Sequence, residues 1–268
     1  MDAAANSNRA RTKKQEANTV KSVTKSLELL NCFTADHPEW GVTGLAEYLG
    51  VCKSAVHRFL SSFEKAGFVE RTPSHRYRLG IRCMELGMMF QINDRLIRAS
   101  ERGLRLLADE TGSIAHLSML DGRETVELLR FCTVKRLIST PKVSTRREAH
   151  ATAKGKIFLA YSGDEYVQKF LGLRSSLKKY TPCTIDTPAQ LQRELGQIRQ
   201  QGFAVDDQES YTGMRCLAVP VYSSPHRLVA ALSISNSSED IRPNAIPPLV
   251  QHLRGVARDI AANLRRTS

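Results

Sequence analysis

Residues 50–69, GVCKSAVHRFLSSFEKAGFV, are the stretch that decides the fold of the first part of the chain. Apolar residues recur there at i, i+3, i+4 and i+7, which predicts the buried face of an amphipathic helix: Val56, Phe59, Leu60 and Phe63. The opposite face carries short hydrogen-bond donors and cations without a carboxylate, which suits the major groove of DNA. Its members are Lys53, Ser54, His57, Arg58 and Ser61.

Two further helices are predicted before this stretch. The nearer one begins at Thr43, which we expect to cap it and to contact DNA, and ends at Gly50. Helix, tight turn and helix thus follow one another. The earlier one covers about 22–33, and apolar residues at i, i+4 and i+7 are expected to close the core: Val23, Leu27 and Leu30. Three helices in this order are typical of a helix-turn-helix domain.

A β-hairpin is predicted directly after the stretch. Residues 67–80 place strand-forming residues on both sides of a Pro-Ser-His turn, which predicts a wing. Three arginines make this wing basic: Arg71, Arg76 and Arg78. We therefore predict that residues 21–80 form a winged helix-turn-helix domain that binds a double-stranded DNA operator. Taken alone, residues 54–62 would be better interpreted as the solvated face of an ordinary surface helix, and it is the neighbouring helices and wing that favour DNA binding.

Composition favours a nucleic-acid partner. Lys and Arg number 39 against 27 Asp and Glu, a formal net charge of +12, so the surface should attract polyanions. No apolar run reaches about 18 residues, and no apolar signal core follows the polar N-terminus, so we expect a cytoplasmic protein without membrane contact. The six cysteines are far apart, without a CxxC pair or a His at metal-ligand spacing. We expect reduced thiols, no metal and no cofactor.

The rest of the chain divides into an arm, a linker and a larger domain. Residues 1–20 lack apolar periodicity and predict a disordered basic arm, which either touches DNA or only solubilises the chain. Residues 81–112 predict a helical linker whose methionine-rich stripe serves packing, within the chain or against a second copy. Residues 113–268 predict an α+β domain with a largely antiparallel sheet. Strands are expected at 114–120, 124–132, 216–221 and 228–235, and helices at 151–161, 188–201 and 243–264.

Two strands of this domain predict a pocket. Alternation gives each strand one face of small residues, on which two hydroxyls also lie. Carboxylates around Asp206 approach the same strand ends, and residues 150–156 open a helix whose N-terminus suits a carboxylate ligand. Strand hydroxyls are often merely solvated, and small residues at a helix start often serve packing, so both interpretations stay open. The small-residue face comprises Cys216, Ala218, Ala231, Ser233 and Ser235.

Four segments, in this order, resemble the IclR family of bacterial transcriptional regulators. They are SAVHRFL at 54–60, RYRLG at 76–80 followed by ELG at 85–87, HATAKGK at 150–156 and GMRCLAVPV at 213–221. The resemblance implies a winged helix-turn-helix, a helical linker that helps dimerisation, and a C-terminal GAF-like effector-binding domain. It also implies a homodimer or tetramer and an effector that is a small organic acid.

The resemblance places the effector near a defined set of residues. Together with the helix N-terminus and two nearby cations, it predicts a small carboxylate, aromatic or dicarboxylic, bound in the pocket. The residues are Arg136, Ser139, Arg147, Ala153, Lys154, Asp206, Cys216, Ser233 and Ser235. Residues 146–149 depart from the family, which has a proline and a bulky apolar residue there, and Lys154 stands where a small or apolar residue is common. The identity of the effector therefore does not carry over.

Two other functions compete with a regulator. A thiol-dependent hydrolase would use Cys216 as nucleophile, His150 as base and Asp206 to orient it, although a thiol among small strand residues is more often packed. A non-specific architectural DNA binder is compatible with the charge, but it would not need the large second domain. We therefore predict a sequence-specific regulator, not an enzyme, whose operator binding responds to a small carboxylate.

Overall fold

The computed structural model describes residues 20–34, 36–133, 146–172, 174–225 and 227–266. They form two compact units, and the chain passes from the first to the second after Phe90. The predicted basic arm lies outside the described residues except for Val20. Arg136 and Ser139, two of the predicted effector residues, also lie outside them.

The first unit contains the predicted helices and wing. Its elements are α1 (Lys21–Leu30), β1 (Glu39–Trp40), α2 (Val42–Leu49), α3 (Lys53–Lys65), β2 (Val69–Arg71) and β3 (Tyr77–Leu79). The strands form an antiparallel sheet in the order β1-β3-β2, with Glu39 opposite Arg78. The two-residue strand β1 is too short to show a periodicity, so the sequence did not predict it.

The prediction for the inner face of α1 was wrong for Val23 and Leu27, whereas Leu30 is partly buried against the core. Val23 and Leu27 are 52% and 53% exposed, whereas Leu29, Cys32 and Phe33 are buried. The helix ends at Leu30, and the turn that follows brings Cys32 and Phe33 into the core. The i, i+4, i+7 series selected the face that contains Leu30. The adjacent Leu29 belongs to a neighbouring face, and the spacing alone does not show which of the two faces is buried.

The predicted cap of α2 was also wrong. Gly41 is the N-cap residue, no side chain caps the helix, and Thr43 lies inside its first turn. The predicted end is confirmed: Gly50 follows the last helical residue with φ of 64°, a left-handed conformation that glycine adopts at little cost.

The linker is two helices rather than one. α4 (Ile81–Asn93) and α5 (Arg95–Thr111) are separated by Asp94, whose side chain accepts a hydrogen bond from the backbone N–H of Ile97 at 2.9 Å. Aspartate is a favourable N-cap, so a new helix starts there although the apolar periodicity continues. The apolar side chains of α4 are about half exposed: Ile81, Met84, Leu86, Met88, Met89 and Phe90.

The second unit is built on a six-stranded antiparallel sheet, which confirms the predicted α+β class. Its strands are β4 (Ile114–Asp121), β5 (Glu124–Phe131), β6 (Arg147–Glu148), β7 (Ala204–Asp207), β8 (Met214–Ser224) and β9 (Arg227–Ser237). They lie in the order β6-β5-β4-β9-β8-β7. Cys216 is opposite Ser235, and Ala218 is opposite Ser233, so the small residues of β8 and β9 are neighbours.

Helices cover both faces of this sheet. They are α5 on one face with α9 (Ile246–Arg266), and on the other α6 (Ala153–Tyr161), α7 (Asp164–Leu171) and α8 (Pro188–Gln201). Large side chains such as Leu217 and Leu232 pack under α5 and α9, whereas Ala218 and Ala231 lie under α6 and α8. This alternation lets α6 approach the sheet closely and positions its first turn beside the small-residue face.

Candidate functional site

The helix α3 presents the polar face that the sequence predicted. Val56 and Leu60 are fully buried, while the five residues of the opposite face are all exposed. Those residues are Lys53, Ser54, His57, Arg58 and Ser61. The structure thus brings the candidate base-reading side chains together on one exposed helix surface, which follows a helix and a tight turn as in helix-turn-helix domains.

The wing arginines are exposed, but two of them are held by other residues. Arg76 Nη2 donates to the Glu39 carbonyl oxygen at 2.8 Å, and Arg78 Nε lies 2.5 Å from Glu70 Oε1. Arg71 is exposed at the end of β2. The interaction with Glu39 follows from strand β1, so sequence reasoning missed it. These contacts orient the side chains of Arg76 and Arg78. The nearby carboxylates also partly neutralise the positive charge of the two arginines.

A cavity of about 110 Å³ lies in the second unit between the small-residue face of the sheet and the start of α6. Seven of the predicted effector residues line it: Arg147, Ala153, Lys154, Asp206, Cys216, Ser233 and Ser235. The small-residue face of the strands and the start of the helix, which were predicted separately from the sequence, thus line the same cavity.

The first turn of α6 is fixed tightly against the preceding segment. Thr152 caps the helix, and its Oγ1 accepts a hydrogen bond from the Gly155 N–H at 3.0 Å. A Cβ at Gly155 would lie 2.3 Å from the Ala149 carbonyl oxygen, so only glycine fits there. Ala153 and Lys154, the first two residues of the helix, line the cavity. The positive end of the helix dipole therefore borders it.

His116, Glu127 and Lys154 form a charged group in the cavity wall. His116 Nδ1 lies 2.5 Å from Glu127 Oε2, and Lys154 Nζ lies 3.7 Å from the same oxygen. Burial alone would raise the pKa of Glu127, but the hydrogen bond and charge interactions with His116 and Lys154 lower it to about 2. Burial lowers the pKa of His116 and that of Lys154. Glu127 is thus an ionised carboxylate that two neighbours already engage.

Arg147 extends from the short edge strand β6 into the cavity wall. Its guanidinium carbon lies 4.8 Å from the ring centroid of Tyr180 and 4.5 Å from that of Tyr211, so the two rings hold it by cation–π contacts. Its Nε is buried and has no hydrogen-bond partner among the described residues. A buried N–H donor without an acceptor costs free energy, and a bound ligand that supplies an acceptor would remove this cost.

Asp206 lines the cavity while it also holds a turn. Its carboxylate accepts hydrogen bonds from the Glu209 N–H at 2.7 Å and from the N–H and hydroxyl of Ser210. Lys156 ties α6 to the same turn, because its Nζ donates to Glu209 Oε1 at 2.6 Å and to Glu194 Oε1 at 2.9 Å. Burial alone would lower the pKa of Lys156, but Glu209 and Glu194 raise it. The turn therefore shapes the cavity wall.

The geometry does not provide an activated thiol at Cys216. Burial raises the pKa of this thiol, and Ser235 Oγ donates a hydrogen bond to its sulfur at 3.1 Å. His150, the proposed base, does not line the cavity, and its Nε2 lies 2.9 Å from the Lys178 carbonyl oxygen. A catalytic pair needs nucleophile and base within hydrogen-bond reach. Cys216 and Ser235 instead form a packed wall, so Ser235 offers less to a ligand than the sequence suggested.

Sequence reasoning missed several lining residues, above all His116, Glu127, Arg130 and Tyr211. The signal for His116 was its position in a strand that is otherwise largely apolar, Ile114–Asp121. Within the described ranges, no group of His, Cys, Asp and Glu side chains is placed to hold a metal ion. None of the helices described has the length and apolar character needed to cross a membrane.

Comparisons with known proteins agree with both units. Residues 22–73 match the IclR helix-turn-helix domain, and residues 92–262 match the bacterial transcriptional regulator IclR C-terminal domain. The chain is 33% identical over 219 residues to the HTH-type transcriptional regulator XynR of Escherichia coli (strain K12), which covers 81% of this chain and 86% of XynR.

Solved structures show the same architecture. An IclR transcriptional regulator from Alicyclobacillus acidocaldarius superposes with a TM-score of 0.83 at 26% identity, covering 92% of this chain and 99% of that one. An IclR homologue from Microbacterium hydrocarbonoxydans, crystallised with 4-hydroxybenzoate, has the same fold, with a TM-score of 0.79 at 23% identity over 91% of this chain and 99% of that one. This chain belongs to the IclR family of bacterial transcriptional regulators.

Proposed function

We propose that this regulator binds a specific DNA operator through α3 and the wing, and that a small carboxylate in the cavity of the second unit modulates this binding. Because bacterial operators are in the cytoplasm, we expect the chain to act there. The observation that carries the effector part of the proposal is the buried Nε of Arg147, which has no partner among the described residues.

The charges around the cavity favour an anionic ligand. Arg130, Arg147 and Lys154 contribute three cations to the lining, against the carboxylates of Glu127 and Asp206. Glu127 is engaged by His116 and Lys154, and Asp206 by the turn after β7. A carboxylate ligand would accept hydrogen bonds from the Arg147 guanidinium in a charge-assisted geometry. The adjacent helix dipole adds to the attraction.

The size of the cavity favours a compact acid. Its volume of about 110 Å³ is smaller than the roughly 150 Å³ of an engineered cavity that holds benzene. A short dicarboxylate fits this space, whereas an aromatic acid requires it to widen. The homologue from Microbacterium hydrocarbonoxydans holds 4-hydroxybenzoate, so the fold is able to accept an aromatic acid. We propose an aromatic or dicarboxylic acid, with the dicarboxylic class preferred.

The test is calorimetric titration of the full chain with oxalate, malonate, benzoate and 4-hydroxybenzoate, and with malonamide as the uncharged control. We expect one acid to bind and malonamide not to. Arg147→Gln should weaken that acid about 10- to 150-fold, the loss of about 1.5–3 kcal/mol expected for a hydrogen bond to a charged group. Arg193→Gln, an exposed arginine on α8, is the matched control. Equal affinity in both variants would place the acid elsewhere.

We also propose that the protein forms a homodimer or a tetramer through α4. Six of its apolar side chains are about half exposed in the single chain, and a patch of this kind on a soluble protein is usually a contact surface. Sedimentation velocity of Met84→Glu/Met88→Glu should show a smaller assembly than the parent chain. An unchanged sedimentation coefficient would exclude α4 as the contact.

A further inference from the structure

Four arginines gather on the second unit where the start of α5 packs beside the end of α9. Arg95, Arg98 and Arg266 line one surface groove there, and Arg102 lies one turn after Arg98 on the same helix face. Hydrogen bonds from Arg95 Nη2 to the Leu264 carbonyl oxygen and from Asn263 Nδ2 to that of Ala99 join the two helices. We call Arg95, Arg98, Arg102 and Arg266 the α5–α9 arginine cluster.

Three arginines of this cluster have no carboxylate partner among the residues that the structure describes. Among the residues that the structure describes, Arg98, Arg102 and Arg266 are exposed and make no ion pair, whereas Arg78 and Arg82 each have a carboxylate partner. The acids closest in sequence are used elsewhere: Asp94 caps α5, and Glu101 lies 3.5 Å from Arg105. Asp259, which lies about two turns before Arg266 on α9, is exposed and forms no ion pair among the described residues. Arg98, Arg102 and Arg266 therefore keep their positive charge.

Helix stability does not explain Arg98 and Arg102. Arg95 and Arg98 lie in the first turn of α5, where the helix dipole disfavours cations and where acids would be stabilising. Arg98 and Arg102 are like charges at i, i+4, which is also mildly destabilising. Arg266, in the last turn of α9, and Arg95, which donates to the Leu264 carbonyl oxygen in that turn, are favoured by the dipole of α9. A bound polyanion would relieve both unfavourable terms.

We propose that the α5–α9 arginine cluster is a second DNA-contacting surface, which binds backbone phosphates outside the base pairs that α3 reads. Guanidinium groups on packed helices suit phosphate oxygens, and such contacts add affinity without sequence preference. The tether is short, because Arg95 follows Leu79, the end of the wing, by 16 residues and these span at most about 55 Å. The inference rests on DNA binding by the first unit.

The test compares two triple variants of the full chain on a random-sequence DNA duplex. Arg98→Gln/Arg102→Gln/Arg266→Gln removes three charges from the cluster, and Arg193→Gln/Arg227→Gln/Arg242→Gln removes three exposed charges elsewhere on the same unit. Fluorescence anisotropy over a KCl series gives the slope of log K against log salt concentration. Each lost phosphate contact makes this slope shallower by about 0.9, so the cluster variant should differ from the parent by about 2 to 3.

The control variant should keep the parent slope to within about one contact. If the cluster variant matches the control, the cluster does not touch DNA and the proposal is overturned. Arg58→Ala, measured in parallel, separates this failure from a failure of the recognition surface, because it should weaken DNA binding whatever the cluster does. A cluster variant that changes the sedimentation coefficient while its salt slope stays that of the parent would identify a contact between copies instead, and this too overturns the proposal.

Discussion

The charge state of Glu127 connects one side chain to the stability of the second unit. Its pKa is lowered from 4.5 to about 2, so it stabilises the folded chain above pH 4.5, and this contribution is lost as the pH falls towards about 2. At about 1.4 kcal/mol per pH unit, the contribution is about 3 kcal/mol. The lowered pKa of His116 acts in the same direction, because the unfolded chain binds that proton first.

Glu127→Gln should therefore be less stable than the parent at neutral pH and should lose less stability on acidification. Urea unfolding followed by circular dichroism at neutral pH and at about pH 3 measures both effects. Glu165→Gln, on the exposed face of α7, is the control and should follow the parent. A parallel fall in stability for parent and Glu127→Gln would show that the His116–Glu127 pair does not carry the acid sensitivity.

Arg58 is the long side chain in the middle of the exposed face of α3, within reach of a guanine edge or a phosphate. Arg58→Ala should weaken binding to an operator selected from random DNA by about 1–3 kcal/mol. Lys65→Ala, at the C-terminal end of the same helix, should change it much less. Gel-shift titration at moderate salt measures the operator affinity of each variant. An unchanged affinity for Arg58→Ala would mean that α3 is not the recognition helix.

The start of α6 depends on a glycine that no other residue replaces. Gly155→Ala would place a methyl group 2.3 Å from the Ala149 carbonyl oxygen, so the backbone beside the cavity must shift. We expect a loss of about 1–3 kcal/mol in the free energy of unfolding. Gly196→Ala, within α8 and with open space around it, should instead gain up to about 1 kcal/mol. Thermal unfolding measures the stability change of both variants, which should have opposite signs. Equal stability changes would show that α6 has room to move.

In the wing, a carboxylate restrains one of the candidate phosphate contacts. Glu70→Gln removes the partner of Arg78 and should strengthen binding to random DNA about two- to five-fold, the value of an exposed ion pair. Arg78→Ala should weaken it and make the salt slope shallower by about one. Anisotropy titrations measure both. If Glu70→Gln binds no better than the parent, Arg78 does not contact DNA.

Elements with a clear period or a turn signal were predictable from the sequence, including the short wing strands β2 and β3, whereas two-residue and interrupted elements were not. The periodicity of α3 and α8 and the alternation in β8 and β9 placed these elements, and with them the small-residue wall of the cavity. The two-residue strands β1 and β6 have no period to detect. A register shift between Leu117 and Ser118 in the pairing of β4 and β5 places Glu127 opposite Ser118, on the same face of the sheet as His116. Unbroken alternation, which is all that the sequence shows, would have placed Leu128 on that face.

In the proposed function, a coupling free energy links operator binding by the first unit to acid binding by the second. Reciprocity requires that an acid which changes operator affinity by some factor has its own affinity changed by that factor when the operator is bound. Cavity variants should therefore abolish the response to the acid and leave the operator affinity of the acid-free protein unchanged. Variants on α3 should lower the operator affinity and leave acid binding to the DNA-free protein unchanged.

Operator affinity, measured with and without the acid found by calorimetry, tests this account most directly, in the parent chain and in Ser233→Leu. Ser233 is 3% exposed and lines the cavity, so leucine there should fill it. Arg147→Gln serves as the second variant should Ser233→Leu fold poorly. We predict that the acid changes the operator affinity of the parent by about 5- to 150-fold and that of neither variant, with equal affinities in its absence. Variants that bind operator like the parent and still respond fully to the acid would contradict the account.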